Sequence, residues 1–227
     1  MRRAATALTA AVSVLLLAAP GVAPSAHADP ATPVVLVHGR NADPGVWRAT
    51  IAGLEAKGFP ADRIFAWSYD TSQSTNEVLA GRLSAYVDQV LQKTGAARVD
   101  IVAHSLGSLP SRWYVEFGDG ARTVAHWISL AGPNHGTGLA WLCAAWDQGC
   151  RDMTPGSYVV TNLNRDDETP GRVHYWTFWS PCDEQILPNA STPLNGATNT
   201  ETSCLKHNDF LTDPAVIDAV AGILAAG

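Results

Sequence analysis

The chain has 227 residues, 46% of them hydrophobic, with 15 Lys and Arg against 21 Asp and Glu and a formal net charge of −6 at pH 7. That composition supplies one apolar core, and an acidic balance without a basic patch argues against a nucleic-acid partner. Met1-Arg2-Arg3 is a short basic start, followed by an apolar run over residues 4–19 and then by Ala26-His27-Ala28. Those three parts make a secretory signal peptide, too short with these flanks to be a membrane anchor. Residues 1–28 are therefore expected to be removed, leaving residues 29–227 as one exported domain that works as a monomer. No later segment has the length of a transmembrane span.

After a lead-in at residues 29–33, Val34-Val35-Leu36-Val37 is an apolar, β-branched strand that ends in His38-Gly39. Residues 40–45 are a polar loop, and residues 46–57 look helical up to Gly58. Residues 64–69 are the next strand. Ser74 and Glu77 have the spacing of a capping box. Behind them Leu79, Leu83, Tyr86, Val87, Val90 and Leu91 recur at helical spacing, and Gly95 supplies the stop. Residues 99–103 form a buried strand, residues 110–117 a helix and residues 124–130 another strand. The stretch 133–170 is long and poorly periodic, as functional insertions often are. Residues 173–179 are the last clear strand, and Asp213-Pro214 opens a final helix through Leu224. Strands alternating with helices predict an α/β fold with a mostly parallel sheet covered on both faces.

Ala103-His104-Ser105-Leu106-Gly107 is the most informative segment. Strand, small-x-Ser-x-Gly, helix is the nucleophile elbow of α/β-hydrolases, with Ala103 in place of the usual first glycine. Its tight turn exposes the Ser105 hydroxyl and aims the Leu106 backbone N–H at the place where an oxyanion forms. The second oxyanion donor is expected after the first strand, at the N–H of Arg40. The Arg40 side chain itself is expected to be solvated.

A serine hydroxyl needs a base, and the base needs a carboxylate to hold its tautomer. In this fold the order is Ser, acid, His. Asp183 follows the strand at residues 173–179 and is the candidate acid. A one-residue difference in the turn would present Glu184 instead. His207, on a loop before the final helix, is the candidate base. His38 and His104 sit in turns with other roles, and His126 and His174 belong to strands. His135 is the rival, but it precedes the acid in the chain.

Cys143, Cys150, Cys182 and Cys204 are even in number in an exported chain, which suggests two disulfides with three possible pairings. The favoured pairing is Cys143–Cys150, closing a short apolar hairpin, with Cys182–Cys204, tying the acid loop to the histidine loop. Zinc is disfavoured because neither pair has CxxC spacing.

Val99-Asp100-Ile101-Val102-Ala103-His104-Ser105-Leu106-Gly107, with Pro33 to Gly39 before it, resembles the small bacterial class 2 lipases of the α/β-hydrolase superfamily. Leu130 to Gly136 is similar to the Pro-Asn-His-Gly stretch of related secreted lipases. The resemblance implies hydrolysis of triacylglycerols or other carboxylic esters through an acyl-serine intermediate. It implies no organic cofactor, with a lipid–water interface as a candidate setting; the sequence assigns no metal ligands and leaves a structural metal open. A polyester or phospholipid would suit the same triad, and a non-catalytic binding protein on this scaffold is the other alternative. The chain departs from the smallest family members over residues 134–171. There Trp141, Leu142 and Trp146 are candidates for an acyl-binding wall or partial lid.

Overall fold

In a strand buried on both faces, alternate side chains serve opposite layers, and β1 (Val34–Val37) does so with four fully buried residues. Val35 and Val37 join a core that holds Leu83, Val87 and Val90 of one helix and Tyr114 and Val115 of another. Val34 and Leu36 join the opposite core, which holds Leu54, Val216, Val220 and Leu224. The computed structural model describes residues 32–72 and 74–226, so the expected signal peptide lies outside the described residues.

The remaining strands are β2 (Ile64–Trp67), β3 (Val99–His104), β4 (Val124–Leu130), β5 (His174–Trp179) and β6 (Thr198–Glu201). They form one sheet in the order β2-β1-β3-β4-β5-β6, and every neighbouring pair is parallel. The helices are α1 (Arg48–Ala56), α2 (Asn76–Thr94), α3 (Ser108–Phe117), α4 (Gly120–Thr123), α5 (Gln148–Met153), α6 (Tyr158–Leu163) and α7 (Pro214–Leu224). α2 and α3 cover one face of the sheet, and α1 and α7 the other. The chain steps from β1 outward to β2, and α2 then returns it to β3 on the other side of β1. The carboxyl ends of β1 and β3 therefore meet where the strand order reverses, which is where α/β sheets open a crevice.

The second strand is shorter than expected because β1 stops at Val37, opposite Trp67, and leaves Ser68 and Tyr69 no ladder to join. β6 was not anticipated from the sequence. It is a mostly exposed Thr-Asn-Thr-Glu edge without apolar alternation, as protected edges often are. The stretch 133–170 holds a 3-10 turn at Gly138–Leu142 followed by α5 and α6. Its apolar side chains Ala140, Cys150, Met153, Val159 and Leu163 pack on Leu106 and Leu109 as a third cluster. Fully buried Arg112 anchors it, donating to the Glu168 carbonyl at 3.2 Å, to Asn164 Oδ1 at 2.9 Å and to the Leu163 carbonyl.

The capping box expected at Ser74 and Glu77 does not form. Thr75 is the N-cap of α2 and makes no side-chain cap bond. Asp152 of α5 takes that part instead, its Oδ2 accepting from Asn76 N–H at 3.0 Å, because an anion suits the positive end of a helix. Its Oδ1 accepts from Gln148 Nε2 at 2.8 Å. Asp152→Ala removes the cap and strands a buried N–H. It should lower unfolding stability by about 2 kcal/mol in a urea titration, and an unchanged midpoint would refute the capping role.

Candidate active site

Ser105 closes β3 with φ 54°, a left-handed conformation that costs a non-glycine residue energy and persists where neighbours enforce it. One 3-10 turn, Ser105–Gly107, then leads into α3. Two glycines let the chain after β1 lie against this elbow. A Cβ on Gly39 would sit 2.8 Å from Ser105 Cβ, and one on Gly107 would sit 2.6 Å from the carbonyl oxygens of His38 and Val37. The Arg40 segment is thereby brought beside the serine.

Ser105, Asp183 and His207 come together from the ends of β3 and β5 and the loop before α7. His207 Nδ1 lies 2.9 Å from Asp183 Oδ2, and its Nε2 lies 2.8 Å from Ser105 Oγ. A carboxylate only accepts, so Nδ1 carries the proton, and Nε2 is left to accept from the serine hydroxyl. All three groups are nearly buried, at 7% exposure for Ser105, 4% for Asp183 and 2% for His207. Asp183 Oδ1 also accepts from the N–H groups of Gln185 and Ile186 at 2.8 and 3.0 Å. Burial alone would raise this carboxyl. The hydrogen bond and charge of His207, with those two backbone donors, outweigh burial and hold it below the ordinary value of 3.8. Exposed Glu184 does not face the ring; its Oε2 accepts from the His207 backbone N–H at 3.2 Å.

Several supporting groups carried no sequence signal. His104 Nε2 donates to the His207 carbonyl at 3.0 Å. Burial and the neighbouring His207 push the His104 imidazole down to about 3, so it stays neutral. Ser180 Oγ donates to the Leu205 carbonyl at 2.8 Å and accepts from the N–H groups of Leu205 and Cys182. Asn189 Nδ2 donates to the Asp183 carbonyl at 2.7 Å. Cys182 and Cys204 are joined, as are Cys143 and Cys150. The second pair joins the end of the 3-10 turn at Gly138–Leu142 to the first turn of α5, rather than closing the hairpin expected.

The other histidines have separate partners. His135, the rival base, lies with Nε2 2.9 Å from Glu168 Oε1, and His126 lies with Nδ1 2.9 Å from Asp100 Oδ1. The Arg40 side chain is not simply solvated: its Nε donates to Asp147 Oδ2 at 2.9 Å.

Ser105 and His207 open into a cavity of about 300 Å³ whose apolar wall includes Leu139, Ala140, Met153, Ile186 and Leu211. Trp141, Leu142 and Trp146, expected to form that wall, do not line it. They stand beside it at 63%, 73% and 72% exposure, while Leu139, Ala140 and Cys143 of the same segment face the cavity. Among the described residues no helix is long and apolar enough to cross a membrane.

The fold is similar to that of the Bacillus licheniformis lipase BlEst2 in its mature form, with TM-score 0.74, 19% identity and coverage of 89% of this chain and 96% of that one. It is similar to Aspergillus fumigatus lipase B, with TM-score 0.71, 16% identity, and 86% and 52% covered. A protein of Listeria innocua shares it at TM-score 0.64 and 13% identity, with 84% and 92% covered. At such identities these likenesses establish the α/β-hydrolase fold alone. The sequence itself matches the family model for lipase (class 2) over residues 31–220. That match takes in the strand before Arg40, the elbow at Ser105 and the loops of Asp183 and His207, and the chain belongs to the class 2 lipase family.

Proposed function

We propose that this protein is a secreted serine hydrolase of carboxylic esters, with Ser105 as nucleophile, His207 as general base and Asp183 as the anion that orients it. The observation that carries this reading is the continuous chain of hydrogen bonds from Ser105 through His207 to Asp183 at the floor of a partly apolar cavity. Membership of the class 2 lipase family supports an ester substrate.

His207 Nε2 takes the Ser105 proton as Oγ attacks the ester carbonyl, and the Arg40 and Leu106 N–H groups receive the resulting oxyanion. Collapse releases the alcohol, which takes the proton from His207. Water then enters by the same route and frees the acid. Ser105→Ala should lower turnover by about 10⁴- to 10⁶-fold with the fold intact. A fluorophosphonate should label the parent at Ser105 and leave the variant unlabelled. Failure of the parent to react would favour a binding protein on this scaffold.

The ionised Asp183 also links the site to stability. Its folded value is depressed, so its contribution is fully present above 3.8 and is lost as pH falls through the lower folded value. Asp183→Asn lacks that contribution and should lower turnover by about 10⁴-fold. Thermal melts should show the parent's stability advantage over this variant present at pH 6 and shrinking below pH 4. An advantage independent of pH would contradict the assignment.

Trp141, Leu142 and Trp146 are read as the face that meets the lipid surface, since they are apolar, exposed and adjacent to the cavity. Aromatic side chains suit such a boundary. Trp141→Ser with Trp146→Ser should slow hydrolysis of an emulsified long-chain triacylglycerol about tenfold, the equivalent of about 1.4 kcal/mol. Rates on a soluble short-chain ester should stay within about twofold. Equal losses on both substrates would instead place these side chains in the reaction cavity.

A further inference from the structure

Asp147 lies inside the Cys143–Cys150 loop, and its carboxylate, 6% exposed, is shared between two donors. Oδ1 accepts from the Cys150 N–H at 2.9 Å, capping α5, while Oδ2 accepts from Arg40 Nε at 2.9 Å. The residues around Arg40 are held individually. Tyr69 OH donates to the His38 carbonyl at 2.5 Å, and Asn41 N–H donates to Thr71 Oγ1 at 2.9 Å. Asn41 has φ 54°, a left-handed turn conformation that asparagine adopts more readily than other residues with a side chain. The disulfide loop also touches the other oxyanion candidate. A Cβ on Gly149 would lie 2.6 Å from the Thr71 carbonyl oxygen and 2.8 Å from Leu106 Cδ2. Gln148 N–H donates to the Ser72 carbonyl at 3.0 Å, fastening the loop to the same segment.

We propose that Asp147 is a positioning residue for ester hydrolysis. It grips the Arg40 guanidinium and so keeps the Arg40 backbone N–H aimed at the oxyanion, with the Cys143–Cys150 disulfide holding Asp147 in place. A charge-assisted bond between a buried carboxylate and a half-exposed arginine is stiff enough to fix the turn at Arg40 and Asn41. Loosening the turn leaves substrate binding alone and weakens only what forms in the transition state. The inference rests on the proposed roles of Ser105 and the two backbone donors.

Asp147→Asn tests it directly, because Asn caps a helix as well as Asp does but lacks the charge that grips Arg40. On a soluble p-nitrophenyl butyrate, kcat should fall about tenfold with KM within about twofold, the pattern of a lost transition-state interaction. Affinity for an alkylboronic acid, whose adduct with Ser105 is tetrahedral and anionic, should fall in step. The melting temperature should hardly move. Arg40→Ala keeps the backbone donor and removes only its anchor, so it should show the same loss. The double variant should cost no more than the worse single one. Unchanged kcat in either single variant, or fully additive losses, would overturn the proposal. If Asp147→Asn does not fold, Arg40→Ala alone decides it. Fluorophosphonate labelling of the parent separates the two levels. A parent that is not labelled undoes the catalytic reading itself, whereas a labelled parent with unaltered variants undoes only the role of Asp147.

Discussion

Everything in the site depends on how closely two backbones approach at the reversal of strand order. β1 and β3 are neighbours in the sheet, and the segments leaving their carboxyl ends must both turn over the same edge. Gly39 and Gly107 allow it, since a Cβ at either position would overlap Ser105 or the carbonyl oxygens after β1. The left-handed Ser105 is the cost of that approach, and close packing on every side keeps it there. Once this contact is made, the serine is raised above the sheet and the Arg40 loop lies beside it. Asp183 and His207 then have one place to meet it.

Asp183 and His207 come from different segments of the chain, and two devices hold those segments together. Ser180 Oγ exchanges hydrogen bonds with both backbone groups of Leu205. The Cys182–Cys204 bond crosses the same gap one turn away. His104, the residue before Ser105, adds a third hold by donating to the His207 carbonyl. Its low proton affinity matters here, because a neutral His104 puts no positive charge beside His207. Ser105, Asp183 and His207 are thus held together from the elbow side as well as from the two loops.

Local chemistry made much of this legible in the sequence. β-branched runs and the small-x-Ser-x-Gly turn are short-range signals that mark a residue by its immediate neighbours, and the order of Ser, acid and His along the chain then points to Asp183 and His207. What could not be read was long-range. The capping box at Ser74 and Glu77 is a sound local pattern, yet Asp152, distant in the chain, offers a better acceptor to the same helix end. β6 lacks apolar alternation because an edge strand has little to bury. Arg40 looks like any surface arginine until the disulfide loop folds Asp147 against it. His135 carries a family-like motif, but its ring turns to Glu168, which no spacing in the sequence indicates.

The long segment between β4 and β5 is where a movable cover would be expected, and its fastening argues for a fixed wall. Arg112 reaches from α3 to three oxygen atoms of this segment, and Asp152 caps α2 from within it. Asp147 holds Arg40, and Gly149 packs against the Thr71 carbonyl without room for a methyl group. Swinging the segment aside would break the partly exposed Arg40–Asp147 ion pair, uncap a helix and expose the cluster around Leu106 and Leu109. Each of those losses costs on the order of 1–3 kcal/mol, and together they are comparable with the whole stability of a small domain. Trp141, Leu142 and Trp146 therefore stay exposed on a rigid base beside the cavity. On the reading proposed above, a lipid surface meets them as they stand, and its esters reach Ser105 without a cover having to open.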